Sequence, residues 1–187
     1  MCGRFYIAEE DTAEELQHII DTLNRKDNGD PGIKTHGEIR PTDTIMTLAN
    51  GQSMQQGVFA MKWGYTMPDG QPMFNARSET AAVKPLFMDG MKQRRCLIPA
   101  SCYFEWEKRG AEKIKHAIAT KGSPMIYMAG IYRREGKQAA CSILTREAAD
   151  CIAHIHHRMP VILPAEAIGN WLNIRYDAND VLRAAQT

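Results

Sequence analysis

The chain has 187 residues, enough for one domain with a hydrophobic core that needs no disulfide staples. Apolar residues make up 44% and charged residues 24%, with a formal net charge of +1, which argues against wholesale disorder and against bulk attraction to polyanions. The longest apolar run, Pro124 to Tyr132, is far short of the ~20 residues of a membrane span. Met-Cys-Gly-Arg-Phe-Tyr at the start lacks the apolar core of a signal peptide. Five cysteines (Cys2, Cys96, Cys102, Cys141 and Cys151) show no CxxC spacing, so the expectation is a soluble cytoplasmic protein from a reducing compartment, without a membrane partner.

The charge is unevenly spread. Residues 1–30 carry a net −5 and residues 91–121 a net +5, the latter from Lys92, Arg94, Arg95, Lys108, Arg109, Lys113, Lys115 and Lys121 against three glutamates. That basic stretch is either an anion-attracting face or a solvated hairpin. In chain order, Asp11 and Glu14 resemble a capping box ahead of Leu16, Ile19, Ile20 and Leu23 at helical spacing. Asn28-Gly29-Asp30-Pro31-Gly32 ends that helix. Short β-type runs then dominate: 44–49, 58–63, 95–98, 102–106, 114–119, 125–132 and 140–145, punctuated by Gly, Pro, Asn and Asp. A helical pattern resumes near Glu147–Ile155, followed by a strand at Met159–Leu163, a helix from Pro164 to about Leu172 and a last helix at Asp180–Ala185. The expected architecture is a single α+β domain over 1–187, with a largely antiparallel, barrel-like β core and peripheral helices.

Four clusters carry chemistry. Cys2 becomes the N-terminal residue if Met1 is removed. It then presents an α-amine and a thiol on adjacent carbons, with ordinary pKa values of about 7.7–8.0 and 8.5, so both are expected to be partly nucleophilic near neutrality. Such a 1,2-aminothiol attacks an aldehyde twice, nitrogen forming the imine and sulfur closing a thiazolidine; alternatively the thiol attacks a carbonyl with the amine as base. Asn75 and Arg77, in Phe74-Asn-Ala-Arg-Ser-Glu-Thr80, offer a carbonyl-directed donor and a phosphate fork, or else belong to a helix-capping loop. In Tyr103-Phe-Glu-Trp-Glu107, period-2 alternation sends Phe104 and Trp106 to one face and Tyr103, Glu105 and Glu107 to the other. Glu105 is then either a solvent-facing edge residue or a proton shuttle with a raised pKa. Cys151, His154, His156 and His157 fall within seven residues. With no HExxH and no paired CxxC, a histidine acid/base is expected there rather than zinc, and no metal or cofactor is expected at all.

Together, Cys2-Gly-Arg-Phe5, Trp63-Gly64, Asn75-Ala-Arg-Ser-Glu-Thr80, Arg95-Cys-Leu-Ile-Pro-Ala100, Phe104-Glu-Trp106 and Ile155-His-His-Arg-Met-Pro-Val-Ile-Leu163 resemble the SOS response-associated peptidase (SRAP) family of abasic-site processing proteins. The blocks appear in family order over residues 2–163. The resemblance implies a sensor of abasic sites in single-stranded DNA that removes Met1 and forms a thiazolidine crosslink through Cys2. By the same match, Asn75 lies beside the aldehyde oxygen, Glu105 orients Cys2 and moves protons, and His156 is the acid/base for sugar opening and reversal. Arg4 and Arg77 would meet the phosphates, and Pro41 and Trp106 complete the expected DNA-binding set. The rivals are a cysteine peptidase acting on other proteins and a non-covalent binder of modified bases. A monomer is expected. Departures from the family pattern are a short, tryptophan-free stretch between Gly64 and Asn75, Glu38-Ile-Arg-Pro41 in place of Tyr-Asn-x-x-Pro, Ser101-Cys102 where a glycine is common, and an expected shortened C-terminal segment.

Overall fold

The computed structural model describes residues 2–8, 18, 21–22, 32–51 and 54–185. Strands in chain order are β1 (Phe5–Ile7), β2 (Ile33–Lys34), β3 (Gly37–Ile39), β4 (Thr44–Asn50), β5 (Gln56–Trp63), β6 (Tyr65–Thr66), β7 (Pro72–Met73) and β8 (Asn75–Arg77). They continue with β9 (Arg95–Ala100), β10 (Cys102–Arg109), β11 (Glu112–Ile118), β12 (Ile126–Glu135), β13 (Gln138–Glu147), β14 (Arg158–Pro160) and β15 (Ile162–Leu163).

Two of these strands read as continuous apolar runs rather than alternations, and the structure shows why. Every residue of β9 is buried, as are the five central residues of β4, because both faces of these strands are covered. They belong to a closed five-stranded barrel ordered β13–β5–β4–β9–β12 and back to β13. Only the β13–β5 junction is parallel; the other four are antiparallel. At the β9–β12 seam Gly130 faces Cys96 in register, and a Cβ there would strike the Ile98 side chain and lie 3.0 Å from Cys96 Sγ. A side chain there would have to push Ile98 Cδ1 and Cys96 Sγ out of the seam.

A second sheet, β11–β10–β1–β3, is antiparallel throughout and carries the N-terminal strand in its interior. Helices Ala165–Leu172 and Ala178–Ala184 lie against the barrel, the first anchored by Trp171 Nε1 donating to Cys96 O at 2.9 Å. Asp177 caps the second, its Oδ1 accepting from Asn179 N at 2.9 Å and Asp180 N at 3.2 Å.

Between the strands expected at 58–63 and 95–98, Ser78–Ala81 and Pro85–Gln93 are helices, the second started by Pro85 in its first turn and burying Phe87, Gly90 and Met91. Two local expectations need correction. The helix expected over 147–155 shrinks to Asp150–Ala153, because β13 runs on to Glu147. The strand expected over 159–163 is two short ones. β12 and β13 pair as far as Gly130–Ile143 and then part, and residues 158–163 fill the split, β14 on β13 and β15 on β12. The helix expected over 11–23 lies largely outside the described residues.

Candidate active site

The site begins with the alternation in β10. Tyr103 and Glu105 point inward and are buried, while Phe104 and Trp106 are half-exposed on the outer face. This inverts the simplest hydrophobic pattern, and cations cover the outward rings: Lys115 Nζ lies 3.8 Å from the Phe104 centroid and Arg4 lies 5.3 Å over Trp106. Glu105 is only 4% exposed, and burial raises its carboxyl above the ordinary range, with the positive charge of His157 acting in the opposite sense.

Strand β1 brings Cys2 to this carboxyl. Phe5 pairs with Tyr103, and Phe104 N donates to Arg4 O at 2.9 Å, so the residues just before β1 run beside β10. Phe5 packs on Trp63 with ring centroids 5.1 Å apart, and Trp63 Nε1 donates to Phe74 O at 3.0 Å, which fixes the entry to Asn75. Gly64 allows the chain to turn there at φ +117, since a Cβ would meet Pro72 Cβ at 2.8 Å. Asn75 Nδ2 then donates to Cys2 O at 2.8 Å, and its buried Oδ1 has no hydrogen-bond partner among the described residues.

Cys2 is fully buried, with Sγ 3.8 Å from Arg4 O. Burial pushes its thiol far up, and the Glu105 charge pushes the same way. With Met1 still ahead of it, the Cys2 sulfur is held as S–H at neutral pH.

The split between β12 and β13 positions the histidines. Arg158 forks onto Glu79, Nη1–Oε1 at 2.7 Å and Nη2–Oε2 at 2.9 Å, and also donates to Thr145 O at 2.6 Å, locking the start of β14. His156 Nδ1 lies 3.0 Å from Arg158 N and 3.1 Å from Arg158 O, so the Arg158 backbone holds the ring whether Nδ1 accepts or donates. Burial holds His156 below its ordinary pKa. His157 stacks on it at 4.5 Å, and the His156 charge lowers it in turn. Among the described residues no group of three or more His, Cys, Asp or Glu is arranged to hold a metal ion.

A cavity of about 650 Å³ joins these parts, lined by Arg4, Glu105, Trp106, Lys108, Lys113, His156 and His157 among others. Cys2 and Asn75 are not in this lining, but Gly3, next to Cys2 in the chain, is. Arg4 is already ion-paired with Glu38 at 2.7 Å, and Lys115 grips the other Glu38 oxygen at 2.5 Å. The Lys115 hydrogen bond is the main cause holding Glu38 down to about 2. Glu38 thus ties Arg4 to the basic hairpin. Arg77 is exposed at the end of β8, outside the lining, where its charge is felt by His157. Pro41 lies on the turn between β3 and β4 and does not line the cavity. Sequence reasoning did not single out Lys108, Lys113 or His157 for this cavity. The two lysines were visible only as part of the net +5 stretch.

A family model described as SOS response associated peptidase (SRAP) matches residues 1–187. The abasic site processing protein YoaM of Bacillus subtilis is 31% identical over 198 residues, covering 98% of this chain and 84% of that protein. The abasic site processing protein YobE of the same organism is 32% identical, covering 98% and 87%. A crystal structure of a protein from Bacteroides thetaiotaomicron superposes with a TM-score of 0.82 at 22% identity, covering 98% of this chain and 86% of that one, and attests the fold.

Proposed function

The chain belongs to the SOS response associated peptidase family, and on that premise we propose that it recognises abasic sites in single-stranded DNA and links to them covalently through Cys2 once Met1 is removed. The observation that carries this reading is the meeting of Cys2, Asn75 and Glu105, from three distant parts of the chain, beside a cavity with basic walls. Relatives named abasic site processing proteins support the lesion. The basic lining (Arg4, Lys108, Lys113) favours a polyanion over a peptide as the occupant. The protein is read as a cytoplasmic monomer, and the peptidase activity as the removal of its own Met1.

The chemistry runs as follows. The Cys2 amine nitrogen attacks C1′ of the ring-opened sugar aldehyde, giving a carbinolamine that loses water to an imine. Sγ then adds to the same carbon while its proton passes to nitrogen, so one C–N and one C–S bond form and one water leaves. A buried S–H suits this order, because sulfur is needed only after the imine exists. Glu105 takes the proton from the amine and returns one to the departing hydroxyl, which a carboxyl with a raised pKa does well near neutrality. Asn75 holds the Cys2 backbone in place. His156, its Nδ1 held against the Arg158 backbone, serves the sugar oxygen during opening and reversal.

Intact mass spectrometry of the purified protein, alone and with abasic single-stranded DNA, tests this directly. The expected result is loss of Met1 and a DNA adduct without borohydride, both absent in Cys2→Ser. A Cys2→Ser protein that forms an equally stable adduct would falsify the thiazolidine.

A further inference from the structure

At the far end of the barrel from Cys2 lies a second cavity of about 810 Å³, where β9 begins, β12 ends and β13 begins. It shares no described lining residue with the Cys2 cavity. Its charge is of one sign: Arg94, Arg95, Arg134 and Lys137 line it, and none of its described lining residues is acidic. Arg94 is ion-paired with Asp89. Arg134 and Lys137 are exposed and have no ion pair among the described residues.

Arg95 is the unusual member. It is 3% exposed and lies 5.3 Å over the Trp171 ring, with Nη2 donating to Tyr176 O at 2.7 Å. Its Nε and Nη1 are buried without a hydrogen-bond partner among the described residues. A guanidinium stays charged at any physiological pH, and Arg95 lines this cavity with two donors that an oxyanion reaching it would satisfy. The aromatic side chains of Phe59 and Tyr132 supply an apolar flank. The volume falls in the range of small-molecule sites, roughly 300–1,000 Å³.

We propose that this cavity binds a small organic phosphate of mononucleotide size, with the phosphate on Arg95, Arg134 and Lys137 and the body against Phe59 and Tyr132. Asp177 acts on the Arg95 charge, while Arg134 and Lys137 have no ion pair among the described residues, and that surplus matches a phosphate dianion better than the single charge of a carboxylate. The site is independent of the chemistry at Cys2 and stands whether or not that reading holds.

Isothermal titration of the full chain with deoxyadenosine 5′-monophosphate, deoxyadenosine, inorganic phosphate and benzoate tests it. Saturable binding is expected for the monophosphate, with the nucleoside and inorganic phosphate each weaker by about tenfold or more and benzoate weaker still. Arg134→Glu and Lys137→Glu, both on exposed side chains, should melt like the wild type and each weaken the monophosphate by about tenfold or more. Arg95→Lys, which keeps the charge and loses the fork, should weaken it further. No saturable binding at millimolar monophosphate, equal binding of the nucleoside, or indifference to both glutamate variants would overturn the site and leave Arg95 as a structural support for Trp171 and Tyr176.

Discussion

Asn75 and Cys2 stand 73 positions apart, yet the Asn75 amide donates to the Cys2 carbonyl oxygen at 2.8 Å while its own buried oxygen has no partner among the described residues. One end of the amide thus fixes the Cys2 backbone. Asn75→Asp removes the donor and sets a carboxylate against a carbonyl oxygen. Adduct formation should slow by about tenfold or more and the melting temperature should fall, since a buried hydrogen bond becomes a repulsion. A time course at the wild-type rate would end the positioning role.

Glu105 links pH to both stability and chemistry. Its folded pKa is raised by burial, so the folded state holds the proton more tightly than the unfolded chain does. Relative to a neutral side chain, Glu105 therefore costs nothing at pH values below the ordinary carboxylate range. It becomes destabilising as pH rises from that range through the folded value. Glu105→Gln should raise the melting temperature more at pH 8 than at pH 4, and should slow adduct formation at neutral pH by about 10²-fold. Equal melting shifts at the two pH values would contradict the raised carboxyl.

The three neighbouring histidines should separate. His156→Ala should form adduct slowly and be more defective in release when the DNA is chased with excess competitor. His154, exposed and outside the cavity, should tolerate alanine. His157, which lines the cavity and stacks on His156 at 4.5 Å, should give an intermediate effect on both time courses. Matching defects in the His154 and His156 variants would mean the acid/base is assigned to the wrong ring.

Phosphate contacts should show in the salt dependence of DNA binding. Arg77→Ala, Lys108→Ala and Lys113→Ala should each weaken binding uniformly across sequences and flatten the salt slope by about one. Arg4→Ala should do less than its position suggests, because Glu38 already takes part of its charge. Slopes unchanged in all three variants would remove the polyanion from the cavity.

The barrel was legible where strands are punctuated by turns, as at Asn50-Gly51 and Lys121-Gly122-Ser123-Pro124. It was not legible where closure depends on partners far apart, since nothing local in β13 says that it pairs with both β5 and β12. Helix Pro85–Gln93 was missed although Pro85 is a start signal; its apolar residues, Leu86, Phe87, Gly90 and Met91, hid among flanking strand-like runs. In the site, the alternation of β10 told which side chains share the face of Glu105, but not that this face is the buried one. The inward side of β10 became visible only once β1 and its cysteine lay beside it. Burial of the Cys2 sulfur has no signal in the sequence at all, because it is made by Asn75, Tyr103 and Glu105 arriving from elsewhere.

Strand β1 has three residues, yet it is laddered on both sides, to β10 and to β3. A DNA strand joined at Cys2 and pulled by a moving motor would load this strand first. A terminal strand at a sheet margin would peel away one bond at a time under such a load. Held between two neighbours, β1 would share the force with both, and the Asn75 amide would add a third anchor at Cys2. Such a tether would be mechanically seated where a three-residue strand would otherwise be the weakest link between lesion and protein.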